Sequence, residues 1–247
     1  MAVKQLKTQI LHEDKEILVC YKPAGIPTQT KQTMQMDVES ELKNYLKGKS
    51  VYVVHRLDQP VEGILVLAKT KEAAASLSKQ LSSDEMNKEY RAIVFGSMAE
   101  KQGTLVHYLK KEAKGNLSKV VKETDSEAKY AELSYEVIAE KDGKEEGENQ
   151  EKLPCISLLK IRLKTGRHHQ IRVQLAAANH PLLGDQKYAD EKTLAFSREN
   201  GIRNVALCAA KLHFIHPSTK EKMEFQITPK GLAFRHVENI TCQNATK

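Results

Sequence analysis

The stretch VVHRLDQPVEGILVLAKT, residues 53–70, places a polar and charged cluster between two apolar, β-branched runs. Each run has the composition of a short buried strand, so the cluster is predicted to lie in the connection between two strands. Loops held by a rigid scaffold are where catalytic and binding residues concentrate. His55, Arg56 and Asp58 are therefore the first candidates for a functional site.

Asp58 has two interpretations from this segment alone. A carboxylate on a loop between buried strands can be both fixed in place and open to a ligand, which favours a functional role. The alternative is local turn chemistry, because Arg56, Pro60 and Gly63 surround it, and an Asp in such a segment can cap a turn or pair with a neighbouring Arg. The segment supports the two interpretations equally.

The rest of the chain predicts an α+β fold. Most predicted strands follow one another through hairpins, and helical spacing recurs at irregular intervals. One helix is KEAAASLSKQL at 71–81, which Thr70 can cap, and another is HHQIRVQLAAAN, where Asn179 can take the left-handed conformation at the end. Because strict βαβ alternation is absent, we expect a mixed, mostly antiparallel central sheet with flanking helices. One domain is expected over residues 10–232, followed by a C-terminal tail at 233–247.

Two alternating segments, YAELSYEVIAE at 130–140 and ISLLKIRLKTG at 156–166, are predicted to pair as strands. Between them, EKDGKEEGENQEK at 140–152 is hydrophilic and broken by glycines, so it buries too little apolar area to order itself. We interpret this acidic segment as a solvated hairpin loop without a catalytic role.

Composition and charge restrict the class of protein. Of the 247 residues, 40% are hydrophobic and 29% are charged, and no apolar run is long enough to span a membrane. The N-terminus lacks the pattern of a secretory signal, so we expect a cytoplasmic protein. A net charge of +7 and a pI near 9.0 are compatible with a polyanionic partner, although charge alone is a weak indication.

A second charged cluster, KTGRHHQIRVQ at 164–174, groups Arg167, His168, His169 and Arg172 around the predicted start of a helix. Basic residues in that position could meet a phosphate or a carboxylate. No HExxH or paired Cys/His spacing accompanies the adjacent histidines, so no metal site is expected, and we interpret them as hydrogen-bond partners of neighbouring loops. A GxSxG elbow, a glycine-rich phosphate loop and a DFG segment are also absent, which argues against a serine hydrolase and against nucleotide-driven phosphoryl transfer.

Five segments, taken in order, resemble the RluA family of pseudouridine synthases. They are KPAGIPTQ (22–29), HRLDQPVEGILVLAKT (55–70), KEYRAIVFG (88–96), LKTGRHHQIRVQLAAANHPLLGDQKY (163–188) and ALCAAKLHFIHP (206–217). The similarity extends from about residue 10 to about residue 230. It implies the pseudouridine synthase fold with a central RNA-binding cleft. It also implies an enzyme that isomerises specific uridines of rRNA, tRNA or both, without a cofactor or a metal.

The resemblance implies catalytic roles for three residues. Asp58 matches the family's catalytic aspartate, which attacks the ribose or the base or removes a ribose proton, so that the uracil detaches, turns and rejoins through C5. Tyr90 matches the tyrosine that stacks beneath the base. Arg172 matches the basic residue that pairs with the aspartate, and an adjacent guanidinium would keep a carboxylate beside the base charged.

The resemblance also implies substrate-binding residues, which are His55, Arg56, Arg167 and Leu207. Arg56 would enter the RNA helix and hold the target nucleotide flipped out, because a stacked base cannot be reached. Arg167 would contact a phosphate. Leu207 would pack on the target base, although a core leucine fits this position equally well.

Three positions depart from the commonest family pattern, and none is in the catalytic trio: Gln174 and Cys208 replace frequent histidines, and Asn179 replaces a frequent glycine. We also expect no additional S4 RNA-binding domain. The expected partner is structured RNA, with no role for DNA or a membrane, and the expected state is a monomer. The alternative is a noncatalytic RNA-binding protein that retains the synthase cleft but lacks turnover.

Overall fold

The computed structural model describes residues 6–32, 34–141 and 155–235. The helices are α1 (Val38–Tyr45), α2 (Lys71–Ser82), α3 (Gln170–Ala177) and α4 (Glu191–Glu199). The strands are β1 (Gln9–Glu13), β2 (Ile17–Lys22), β3 (Tyr52–Val53), β4 (Glu62–Ala68), β5 (Asn87–Phe95), β6 (Gln102–Lys111), β7 (Ser118–Val121), β8 (Lys129–Lys141), β9 (Ile156–Leu163), β10 (Leu207–Ile215) and β11 (Lys222–Gln226). The predicted α+β class is confirmed. The acidic segment at 140–152 lies outside the described residues from residue 142 onward, as does the predicted tail from residue 236 onward.

The chain divides into two compact units, and the first contains the described residues up to Lys88 together with Cys208–Pro229. Its strands are ordered β1, β2, β4 and β10, with β3 also paired to β4 and β11 to β10. All of these pairs are antiparallel except β4 with β10, which run parallel. Every residue of β2 and β4 is buried, which explains the near-continuous apolar runs of their sequences.

Helix α2 covers the sheet of the first unit as its sequence predicts. The Thr70 side chain accepts a hydrogen bond from the Ala73 amide at 3.1 Å and so caps the helix. Ala73 and Leu77 are buried in a cluster with Ile64 and Val66 of β4. The predicted helix and its cap are confirmed.

Gly63 allows β4 to approach β10 closely. Its φ is +139°, and a Cβ built on it would lie 2.5 Å from the backbone nitrogen of Ala209, its partner in the parallel pair. Real Cβ contacts are never that short, so only glycine fits here. The strand that follows the Asp58 loop is therefore fixed at its first residues.

The second unit contains Glu89–Leu207 and the chain from Lys230 onward. Its strands are ordered β5, β9, β8, β6 and β7, all antiparallel, so the predicted pairing of β8 with β9 is confirmed. Helix α3 packs Val173 against Leu109 and Ala131 of the sheet. It is followed by Asn179 at φ +64°, the left-handed conformation predicted for this position. In the ranges described, no helix is both long and apolar enough to cross a bilayer.

Candidate active site

The loop that carries Asp58 is fixed through the residues on both sides of it. The Thr28 hydroxyl donates to the Leu57 carbonyl at 2.9 Å and accepts from the Leu57 amide at 3.1 Å. On the other side, the Gly25 amide donates to the Gln59 carbonyl at 2.8 Å. The Asp58 side chain itself is half-buried. The segment at 22–29 therefore holds the backbone of the loop on both sides of a half-buried Asp58.

Lys22, the last residue of β2, also connects the segment at 22–29 to the Asp58 loop. Its side chain is fully buried, and Nζ donates to the carbonyl oxygens of Pro23 at 3.0 Å, Ile26 at 2.6 Å and Gln59 at 3.1 Å. Burial lowers the pKa of Lys22 to about 7, while the negative charge of Asp58 acts in the opposite direction. Lys22 was not predicted from the sequence. The available signal was a lysine that ends an otherwise apolar strand directly before a proline.

His55 and Arg56 occupy different environments in this loop. The ring of His55 is buried, and its Nε2 accepts a hydrogen bond from the Val66 amide of β4 at 3.3 Å. Burial, and secondarily the positive charge of Lys88, lowers the pKa of His55 well below its ordinary value. Arg56 is exposed. The observed contact of His55 is thus with the scaffold of the loop, and its substrate-binding role stays a prediction.

Arg172 lies in α3 with its guanidinium buried against Asp185. Nε donates to Oδ2 at 2.8 Å and Nη2 donates to Oδ1 at 2.6 Å, and the two side chains are only 3% and 0% exposed. The Tyr188 ring lies over the guanidinium, with its centroid 5.1 Å from Cζ. Two parallel charge-assisted hydrogen bonds form the strongest geometry available to an arginine. Sequence reasoning missed Asp185 and Tyr188, although both lie in one of the segments that carry the resemblance.

The neighbouring basic residues contact the chain around them. His168 bonds to the Ser118 hydroxyl through Nδ1 at 2.8 Å and to the Asn116 side chain through Nε2 at 3.0 Å, as predicted for a partner of neighbouring loops. Arg167 is exposed, and its Nε donates to the Tyr130 carbonyl at 2.8 Å. Within 6–32, 34–141 and 155–235, no group of three or more His, Cys, Asp or Glu side chains could hold a metal ion.

Tyr90 and Leu207 are both buried, at 5% and 4% exposure. Tyr90 lies in β5 opposite Ile161 of β9, and Leu207 begins β10. Asp58 belongs to the first unit, whereas Tyr90, Arg172 and Leu207 belong to the second. The pairing of Asp58 with Arg172 therefore stays a prediction, as does the role of Leu207 against a base.

Gln174, which departs from the commonest family pattern, forms hydrogen bonds within the second unit. It is fully buried in α3, and its Nε2 donates to the carbonyls of Leu105 at 3.0 Å and Ala131 at 3.2 Å. These bonds attach α3 to two strands of the second unit. Cys208 is buried in β10.

The known sequences that this chain matches are named as RNA pseudouridine synthases. A sequence profile of the RNA pseudouridylate synthase family matches residues 16–177. The chain is 32% identical over 217 residues to the uncharacterised RNA pseudouridine synthase YhcT of Bacillus subtilis, covering 86% of this chain and 65% of that protein. It is 32% identical over 212 residues to the dual-specificity RNA pseudouridine synthase RluA of Vibrio parahaemolyticus, covering 86% and 79%. It is 30% identical over 222 residues to the tRNA pseudouridine synthase C of Haemophilus ducreyi, covering 88% and 89%.

Comparison with solved structures identifies the fold. Human RNA Pseudouridylate Synthase Domain Containing 1 aligns with a TM-score of 0.71 at 21% identity, covering 90% of this chain and 84% of that one. Human RNA Pseudouridylate Synthase Domain Containing 4 aligns with a TM-score of 0.68 at 23% identity, covering 90% and 89%. The predicted pseudouridine synthase fold is confirmed.

Proposed function

Because this chain belongs to the RluA family of pseudouridine synthases, we propose that it isomerises specific uridines of structured RNA to pseudouridine. Relatives named as a ribosomal large subunit pseudouridine synthase and as a tRNA pseudouridine synthase favour rRNA, tRNA or both as the substrate. The net charge of +7 suits a polyanionic substrate of either kind.

The proposed reaction is an isomerisation, and the group proposed to start it is a carboxylate. The C1′–N1 bond of the nucleoside breaks, a C1′–C5 bond forms, a proton leaves C5 and a proton is taken up at N1, so that atoms and electrons balance within the nucleoside. Asp58 is the proposed catalytic carboxylate, attacking the ribose or the base or removing a ribose proton. All three routes use the same ionised oxygen atoms.

The observation that carries the proposal is the fixation of the Asp58 loop. The residue on each side of Asp58 is hydrogen-bonded to the segment at 22–29, and Asp58 itself is half-buried. A reactive group gains most when its position is set before the substrate arrives, because no ordering entropy is then lost in the transition state.

Arg172 and Tyr90 complete the proposed catalytic group. At about 4 Å and an effective dielectric constant of about 20, a guanidinium attracts a carboxylate by roughly 4 kcal/mol before desolvation is subtracted. Arg172 would keep Asp58 ionised beside the base, and Tyr90 would stack beneath the base.

Four residues are proposed to bind the RNA: Arg56, His55, Arg167 and Leu207. The exposed Arg56 is placed two residues from Asp58, where it would hold the flipped nucleotide. Arg167 is exposed and would contact a phosphate. His55 would act as a neutral ring, since its pKa is lowered, and Leu207 would pack on the base.

The test is release of tritium from rRNA and tRNA transcripts labelled at C5 of uridine. The Asp58→Asn variant is expected to lose about 10³-fold or more of the rate, because an amide is neither a nucleophile nor a base, while keeping its RNA affinity. Asp84→Asn is the matched control, since Asp84 is exposed and lies outside the proposed site. Turnover by Asp58→Asn at the wild-type rate would exclude this carboxylate. A wild-type protein that binds RNA without releasing tritium would instead be a noncatalytic RNA-binding protein.

A further inference from the structure

The guanidinium of Arg172 is constrained both at an edge and on a face. Asp185 receives Nε–H and one Nη2–H, two of the five donors of the guanidinium, and fixes its rotation within its own plane. The Tyr188 ring over Cζ fixes the tilt of that plane. The long side chain of Arg172 therefore has a defined orientation at its charged end.

Asp185 is itself held in place by the backbone around it. Gly184 has φ +72°, and a Cβ there would lie 2.1 Å from the Asn204 carbonyl oxygen, so only glycine is tolerated. The Gly184 amide donates to the Ser197 hydroxyl of α4 at 3.0 Å. The Lys187 amide donates to Oδ1 of Asp185 at 3.0 Å. These contacts orient the Asp185 carboxylate independently of its bonds to Arg172.

Tyr188 is held just as firmly. Its hydroxyl accepts from the Ser118 amide of β7 at 2.8 Å and lies 2.8 Å from Nδ1 of His169. The Lys187 ammonium donates to the carbonyls of Gly115 at 3.1 Å and Asn116 at 2.9 Å, which ties the same segment to the turn between β6 and β7. The aromatic ring is thus a rigid surface for the guanidinium.

We infer that Asp185 and Tyr188 are positioning residues that set the direction of the Arg172 guanidinium for the reaction, an inference that rests on the proposed function of Arg172. Fold stability alone does not account for the arrangement. A buried ion pair recovers little net free energy, and apolar side chains of the same volume would stabilise α3 as well. The ion pair and the ring give the N–H donors of Arg172 a fixed direction. Apolar packing would not.

The experiment measures the single-turnover rate of tritium release and KM for the full chain carrying Asp185→Asn, Arg172→Lys, or both. Asp185→Asn is expected to lower the rate about 10- to 100-fold with KM changed less than about threefold, in the range seen for residues that orient a functional group. In the Arg172→Lys background, the same change should lower the rate by less than about threefold, since the positioned group is already lost. Equal factors in both backgrounds would mean a merely structural role and would overturn the inference.

Tyr188 provides a second and independent test if Asp185→Asn does not fold. Tyr188→Leu removes the ring and is expected to lower the rate about tenfold, whereas Tyr188→Phe keeps the ring, loses only the hydroxyl contacts that hold it, and should recover part of that loss. Wild-type rates for Tyr188→Leu would overturn the inference.

Failure of the inference can be told apart from failure of the proposed function. If Arg172→Lys and Asp58→Asn lose turnover while Asp185→Asn does not, only the inference is wrong. If Asp58→Asn or Arg172→Lys turns over at the wild-type rate, the proposed role of that residue is wrong, and for Arg172 the inference is overturned with it.

Discussion

The Asp58 loop and the start of α3 fix their charged groups in opposite ways. Asp58 is half-buried, and the loop around it is held by hydrogen bonds to the backbone of Leu57 and Gln59. Arg172 is buried, and its charged end is held directly by the side chains of Asp185 and Tyr188. The first region controls the main chain, whereas the second controls the side-chain terminus.

Side-chain length explains this difference. The carboxylate of an aspartate is one carbon from the backbone, so a fixed main chain leaves it few positions. An arginine has four rotatable bonds and loses up to about 2 kcal/mol of rotamer entropy when ordered. Fixing the helix backbone would not direct its guanidinium, so partners are needed at the end of the side chain. The comparison predicts where substitutions will act.

The largest effect is expected at Gly63, where the strand after the Asp58 loop meets β10. Gly63→Ala would bring a Cβ to 2.5 Å from the Ala209 backbone at an unfavourable φ, so we expect the free energy of unfolding to fall by about 3 kcal/mol. Urea unfolding followed by circular dichroism measures this. Gly166→Ala is the control, because a Cβ at Gly166 would meet nothing within 4 Å beyond its chain neighbours, and it should change stability by less than about 0.5 kcal/mol. Equal effects at the two glycines would contradict the close approach of β4 and β10.

A smaller effect is expected at Thr28, which acts on the Asp58 loop alone. Thr28→Val keeps the shape of the side chain but removes both hydrogen bonds to Leu57, so it should lower the free energy of unfolding by about 1–2 kcal/mol. It should also lower the rate of tritium release, because the backbone beside Asp58 is no longer fixed. Thr28→Ser retains the hydroxyl and should restore both quantities. A Thr28→Val protein with the wild-type rate of tritium release would contradict the statement that the fixed main chain positions Asp58.

The smallest effect is expected at Asp14, a second short carboxylate in the first unit that is held by backbone donors. Its Oδ1 accepts from the amides of Glu16 at 2.7 Å and Ile17 at 2.9 Å, and its Oδ2 meets the rings of His12 and His216. Burial opposes ionisation, but these hydrogen bonds prevail and lower the pKa of Asp14 to about 2.

Because the folded-state pKa of Asp14 lies below the ordinary value of 3.8, its contribution to stability is complete above that value and disappears as the pH falls towards 2. Asp14→Asn should therefore cost about 1 kcal/mol at pH 7, a figure reduced for partial exposure, and almost nothing at pH 2. Thermal unfolding of both proteins between pH 2 and pH 7 checks this. A cost that does not change with pH would show that the charge of Asp14 contributes nothing.

Some features could not be predicted because the sequence signal is weak. Strands β6 and β7 are largely half-buried or exposed, so their apolar residues do not alternate strongly enough to indicate a strand. His55 lies in a charged cluster that suggests exposure, and only packing shows its ring against β4. Tyr90 and Arg172 were assigned through the resemblance, since neither periodicity nor spacing distinguishes them from core or surface residues.

The sequence by itself determined the elements whose signals are local: the apolar runs of β2 and β4, the Thr70 cap of α2, the pairing of β8 with β9 and the ordered segments that identify the family. Tertiary structure alone decided which residues hold the Asp58 loop and the Arg172 guanidinium. Lys22 reaches Gln59 across 37 positions, Thr28 reaches Leu57 across 29, and Arg172 finds Asp185 across 13. The physical reason is that a cap or an apolar stripe depends on neighbours within a few residues, whereas these bonds exist only where the folded chain returns to the same place.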